Sequence, residues 1–304
     1  MKQKDGFSHK LGSWLDRDNV AGYVFILPFI IGLIVFTAIP FFTSLYLAFT
    51  NYNILSAPKW VGLDNFKKMF LEDDLFWTSF KVTFKFALIQ VPIKLTVALL
   101  VALVLSRSTR LTSFYRAAFY IPSLMGGSVA IALLWKQLFS PKGVINQVLG
   151  FFGLPDSTAW LGNPKTALGT LIALGVWQFG SCMLIFLSGL KQIPNSLYES
   201  AAIDGASPMK QFWKITMPML TPTIFFNMVQ QIITSFRVFT ESYVITNGGP
   251  MDSTLTYVLY LYRSAFTNFH MGYSCALAWI LVVIIGIATA ILFKSQDAWV
   301  HYEG

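Results

Sequence analysis

The densest set of hydrogen-bonding side chains in any apolar stretch of this sequence lies between residues 227 and 242: Asn227, Gln230, Gln231, Thr234, Ser235, Arg237, Glu241 and Ser242. Gln231, Thr234, Ser235 and Val238 stand at i, i+3, i+4 and i+7, one face of a helix, with Asn227 a turn earlier. Amides and hydroxyls both donate and accept, which suits them to sugar hydroxyls. The same stripe could instead join helices through interhelical hydrogen bonds. Trp177, Gln178 and Ser181 form a smaller set, in which an aromatic ring beside an amide could serve as a platform for a pyranose or could simply pack.

Lys94 and Arg237 are the two cations deepest in the apolar stretches. They could attract acidic groups on a uronate-type saccharide. Alternatively Arg237 pairs with Glu241 one turn on, and Lys94 reaches a polar neighbour or snorkels. Covalent chemistry has no comparable set of residues. His9, His270 and His301 are far apart and share no ligand spacing with Cys182 and Cys275, so no metal site is indicated. No nucleophile elbow, paired catalytic carboxylates or phosphate-cradling Gly-rich loop occurs either. The chain is expected not to be an enzyme and to carry no cofactor; ATP and Mg, if used, belong to a partner.

The elements that must position these residues follow from composition. Of 304 residues, 55% are hydrophobic and only 12% charged, against roughly 25% charged in soluble domains. Six apolar stretches, about 22–49, 82–105, 117–138, 166–190, 221–245 and 272–294, have the length a bilayer core requires. The expectation is an all-α integral membrane protein, one transmembrane domain over 1–304. Pro28 and Pro40 predict a kink or an early end of the first span. The net charge of +8 is scattered between apolar blocks, which points to cations flanking spans rather than to nucleic acid. Placing both termini inside puts eleven Lys and Arg on the inner side and six on the outer. The outer segments, about 50–80, 140–165 and 247–271, read as compact caps. No convincing internal repeat is found, which weakens the case for a secondary transporter of two halves.

Between the fourth and fifth spans lies KQIPNSLYESAAIDGASPMKQFWKITMPMLTP, about 191–220. Pro194 suits a first helical turn, and Ser196 with Glu199 has capping-box spacing. Ala201, Ala202 and Ala206 give a face of small side chains closed by Gly205. Ser207 and Pro208 then restart a second helix. The expected shape is an arm of two short helices on the inner side, with a flat surface that another protein can approach closely.

The run Glu199, Ala201, Asp204, Gly205, Ala206, then Phe212, Ile215, Pro218 and Pro222, resembles the EAA motif of binding-protein-dependent ABC importer permeases. Ser200 and Met217 are mild departures. FYIPSLMGGSVAIALLWKQLFSPKGVINQVL, WLGNP and TNGGP resemble the carbohydrate branch, so the likeness covers nearly the whole chain; Thr240 and Glu241 after Phe239 depart from the usual Phe-Asp. The resemblance implies a type I importer permease of about six spans, in a bacterial cell membrane, forming half of a sugar or oligosaccharide channel. It implies as partners a second homologous permease, two cytoplasmic ATPases and an extracytoplasmic solute-binding protein. Glu199, Ala201, Asp204, Gly205 and Ala206 would dock on the ATPase, and the Asn227-to-Val238 face would meet the sugar. An ion-coupled secondary transporter of small polar solutes is the alternative, with Lys94, Arg237 and Glu241 as its only candidate coupling charges.

Overall fold

The computed structural model describes residues 18–106 and 111–301. The basic residues Lys2, Lys4, Lys10, Arg17, Arg107 and Arg110, and His9, lie outside the described residues. The first span is α1 (Asp18–Leu33), a π turn (Ile34–Ala38) and α2 (Ile39–Ala48). Pro40 neither ends nor restarts it. Because its ring has no N–H and would clash with a carbonyl four residues back, the turn before it widens, and the Ile39 N–H bonds to the Ile34 carbonyl. Its large side chains, Phe25, Phe29 and Phe36 among them, face outward, as a helix solvated by lipid or by another chain requires.

A short hairpin (β1 Thr50–Asn51, β2 Lys59–Trp60) and α3 (Asp64–Leu71) precede α4 (Asp74–Ser106), the central pillar. At 33 residues α4 is about 50 Å long, so it extends well beyond the span expected at 82–105. The extension is anchored at its start. Asp73 Oδ1 accepts from the Phe76 N–H at 3.0 Å, and its Oδ2 accepts from the hydroxyls of Tyr260 and Tyr273. Three apolar clusters are strung along α4, around Phe76, around Phe86 and around Val91 to Leu105.

The expected spans 117–138 and 166–190 are both broken. The first is α5 (Thr112–Leu124) and α6 (Val129–Leu138), at 99° to each other; the second is α8 (Ala167–Trp177) and α9 (Gly180–Gln192), bent by 43°. Gly126 and Gly127 occupy the first break, and Gly127 has φ +72°, a conformation glycine adopts without strain. Between the two pairs lies α7 (Val144–Phe151), part of a cap over the helices.

After the arm, described below, α12 (Met217–Phe236) packs against α4, α9 and α14 (Met271–Trp299). Its polar content keeps it out of the set of helices that, among the described residues, are apolar enough to cross a bilayer: three continuous ones, and the two bent pairs. The expected span 221–245 is also interrupted. Its helix stops at Phe236, and a π turn (Ser242–Thr246) follows after a break. The cap is completed by α13 (Tyr257–Tyr262) and a further π turn (Arg263–Thr267). Buried Thr83 on α4 accepts from the Tyr257 N–H at 2.8 Å, and the Tyr257 hydroxyl donates to the Leu277 carbonyl at 2.9 Å, which pins α13 between the pillar and α14.

Candidate functional site: a cavity where three broken helices meet

The breaks at 125–128, 178–179 and 237–239 converge on one half-open cavity of about 460 Å³. From α4 come Phe86, Gln90 and Lys94. The α5–α6 break supplies Ser123, Gly126 and Gly127, and the α8–α9 break supplies Gln178 and Ser181. Gln231, Thr234 and Ser235 enter from α12, and Arg237 to Glu241 from the segment after it. Backbone that leaves the helix at membrane depth has unpaired polar groups, and it is tolerated where it is buried in protein or lines a water-filled space. The size lies within the range of small-molecule sites.

The sequence-predicted residues divide accordingly. Gln231, Thr234, Ser235, Val238, Gln178 and Ser181 are brought together around the cavity, as are Lys94, Arg237 and Glu241. Asn227 and Trp177 are not. Asn227 is 1% exposed, with both amide atoms unpartnered, and lies among the packed side chains of α12. Trp177 tilts against Trp135, ring centroids 5.8 Å apart. Val238 reaches the cavity by a different route from the one its spacing implies, because the helix has ended two residues before it. It packs with Phe86, Leu171 and Ile245.

The hydroxyls of Thr234 and Ser235 donate to the carbonyls of Gln230 and Ile232, at 2.8 and 2.9 Å. Their lone pairs remain to accept from a solute hydroxyl. Gln90 lies against Gly175, where an added Cβ would stand 2.2 Å from the Gln90 amide nitrogen; the Gln90 Oε1 is buried without a partner. Arg237 and Glu241 do not form the ion pair expected from their spacing, because the chain leaves the helix between them; Lys67–Asp64 is the single ion pair among the described residues. Sequence reasoning missed Gln90, Ser123, Gly126, Gly127 and Thr240. The interruption of an apolar span by Pro122 and Gly126-Gly127 is a signal that could have found the break.

The arm is built largely by its caps. Its first helix, α10 (Asn195–Ile203), ends with Gly205 at φ +74°. The Ala206 N–H bonds to the Ala201 carbonyl at 2.8 Å and the Gly205 N–H to the Ala202 carbonyl at 3.0 Å, the double closure of a Schellman end. Ser207 then caps α11 (Pro208–Gln211), its Oγ accepting from the Lys210 N–H at 3.4 Å. Two expectations are corrected. Ser196 and Glu199 make no capping box, because Pro194 takes the N-cap position with extended ψ and Ser196 falls inside the first turn. The second helix is not short: α11 runs through a π turn (Phe212–Thr216) directly into α12, the turn widening before Pro218 as it does before Pro40. Glu199, Asp204 and Gly205 are exposed, Ala201 and Ala206 half-buried. Ile203, Met209 and Trp213 are exposed as well, at 86%, 67% and 59%, an apolar surface beside the acidic one. A hydrogen bond of 2.9 Å between the Tyr198 and Thr216 hydroxyls ties the arm to the base of α12.

The model of the family described as binding-protein-dependent transport system inner membrane component matches residues 94–302. The probable ABC transporter permease protein YesP of Bacillus subtilis is 53% identical over 289 residues, 94% of each chain. The arabinooligosaccharides transport system permease protein AraP of the same species is 30% identical over 298 residues, 95% of this chain and 94% of the relative. In a crystal structure of a bacterial alginate ABC transporter, with an alginate-bound periplasmic protein, one chain superposes with a TM-score of 0.80 at 24% identity. That match covers 93% of this chain and 95% of the other, and it speaks to the fold.

Proposed function

Because the chain belongs to the family of binding-protein-dependent transport system inner membrane components, a permease component and not an enzyme, we propose that it forms half of the translocation channel of a sugar or oligosaccharide importer. A second, homologous permease chain closes the open side of the cavity. Two ATPase subunits bind the arms on the cytoplasmic side and supply the ATP and Mg chemistry, and a solute-binding protein delivers the saccharide from outside. Both termini are cytoplasmic in this arrangement. The observation that carries the reading is the convergence of three helix breaks on one cavity lined by Gln178, Ser181, Gln231, Thr234 and Ser235. Each break leaves polar backbone where a solute passes, and each gives a place at which half-helices can shift.

Coupling follows from the arm. Glu199 and Asp204 offer carboxylates to the ATPase, Ala201 and Ala206 permit close approach, and Gly205 fixes the angle between α10 and α11. Since α11 continues into α12, closure of the ATPases displaces the helix that carries Gln231, Thr234 and Ser235. Alternating access is then a rigid-body motion of one element past others. Relatives named as permeases for starch degradation products, lactose and arabinooligosaccharides support a saccharide as solute. The test is uptake into proteoliposomes holding the purified complex: saccharide import should require internal or external ATP on the ATPase side. Import driven by an ion gradient without ATP would replace this reading with ion-coupled transport.

A further inference from the structure

We propose that the cavity selects saccharides carrying a carboxylate, of the uronate type, with the acid group held between Lys94 and Arg237. The inference rests on the cavity being the solute pathway and names the class of solute. Among the lining residues Lys94, Arg237 and Glu241 are the charged ones, which leaves one excess positive charge around the space. The sequence offers two internal explanations for the cations: an Arg237–Glu241 pair, and a polar neighbour for Lys94. Neither exists among the described residues. The Arg237 guanidinium makes no ion pair within 4.0 Å and no hydrogen bond. Lys94 is 6% exposed, yet its Nζ has no hydrogen-bond partner or ion pair, only the longer-range attraction of Glu241.

A cation placed inside a membrane-spanning helix is costly, and it persists where it faces a functional space. Lys94 sits in the interior of α4, far from either end of that helix, where its sequence neighbours Val91, Leu95 and Ala98 belong to an apolar cluster. A neutral saccharide gives neither cation a counter-charge. A carboxylate matches the single excess charge, whereas a phosphate monoester, at about −1.5 to −2, would exceed it. The two cations have complementary geometry. The Arg237 guanidinium is exposed at the cavity and can grip both carboxylate oxygens as a fork, while Lys94 acts as a point charge at the buried side. Gln90, with its buried and unpartnered Oε1 on the same helix, is placed to accept from a ring hydroxyl of the same sugar unit.

The experiment uses the assembled importer in proteoliposomes with its binding protein and ATP. Uptake is measured for a panel of uronate-containing oligosaccharides, for the same compounds after reduction of each carboxyl to a hydroxymethyl group, and for hexose phosphates. The wild type should import acidic compounds in preference to their reduced counterparts. Arg237→Gln and Lys94→Gln should lower acidic uptake about 10- to 100-fold with little effect on the reduced compounds, and Arg237→Lys should restore part of it. Equal or better import of the reduced panel, preference for hexose phosphates, or acidic uptake unchanged in Arg237→Gln overturns the inference and leaves the saccharide pathway standing. So does loss of complex assembly in Arg237→Gln, which would assign that cation to the permease interface. ATP hydrolysis with import of neither panel overturns the saccharide reading itself, and this inference with it.

Discussion

The Ser123 hydroxyl, at the end of α5, donates to the Gln178 carbonyl at 3.1 Å and accepts from the Ser181 N–H at 3.0 Å. One side chain thereby satisfies backbone groups on both sides of the α8–α9 break, and it fastens that break to the one after Leu124. Gly180 permits the approach: a Cβ there would lie 2.2 Å from the Phe119 carbonyl oxygen and 2.7 Å from the Tyr120 Cα. The shape of the cavity wall therefore depends on two residues that do not face the solute with a large side chain.

Replacing Ser123 by Ala leaves a carbonyl and an N–H without their partner. Each such loss costs about 1–3 kcal/mol where water cannot substitute. Thermal unfolding of the purified complex should move to lower temperature, and uptake should fall, while Ser123→Thr keeps the hydroxyl and most of both. An unchanged unfolding temperature in the alanine variant would mean that water replaces the hydroxyl and that the junction is open.

Thr234 is exposed to the cavity, with its hydroxyl hydrogen fixed on the Gln230 carbonyl. Thr234→Leu removes the acceptor and adds bulk inside a space of about 460 Å³. Saccharide uptake should drop at least about tenfold, with the ATPases still copurifying at wild-type levels. Normal uptake would return the polar stripe to a packing role.

What the sequence disclosed and what it hid differ by the range of the interactions involved. The Schellman end at Gly205 and the Ser207 cap are closed by groups within five residues of one another, so their signals are local and legible. The stripe on α12 was legible by spacing. The breaks are harder to read: Pro122 and Gly126-Gly127 mark the first locally, but a window of about 19 residues averages over two glycines in an apolar run, and the bond that makes the 178–179 break tolerable comes from a residue 55 positions away. The capping box was misread because Pro194, two residues earlier, starts the helix first.

Asp73 gathers the cap formed by the start of α4, α13 and the start of α14. Its carboxylate caps α4 through the Phe76 N–H and receives the hydroxyls of Tyr260 and Tyr273. Burial, followed by the hydrogen bond to Asp73, pushes the Tyr260 hydroxyl well above the ordinary tyrosine range, so it stays protonated as a donor through mildly alkaline pH. Asp73→Ala should therefore lower the unfolding temperature by the loss of a cap and two charge-assisted bonds, about 2–5 kcal/mol in all. Asp73→Asn keeps acceptor oxygen and should lose less. Equal stability of the wild type and the alanine variant would remove the cap from the account.

The arm gives the most selective test, because its geometry rests on one backbone conformation. Gly205 has φ +74°, and a Cβ added there would meet nothing within 4 Å, so the effect of a substitution comes from the backbone alone and not from a clash with neighbours. A left-handed conformation costs a β-branched residue roughly 1–2 kcal/mol, whereas asparagine adopts it more readily. Gly205→Val should relieve the strain by opening the Ala206–Ala201 and Gly205–Ala202 hydrogen bonds, turning α10 relative to α11 and displacing Glu199 and the exposed Ile203 from the surface they form together. Gly205→Asn should keep the closure. Membrane insertion depends on the spans and should be normal in both. The expected pattern is wild-type membrane levels throughout, with weak ATPase retention and lost uptake in the valine variant, and both largely retained in the asparagine variant. Full uptake and normal ATPase copurification with valine would show that the angle at Gly205 carries no coupling, and would reduce this segment to a connection between α9 and α12.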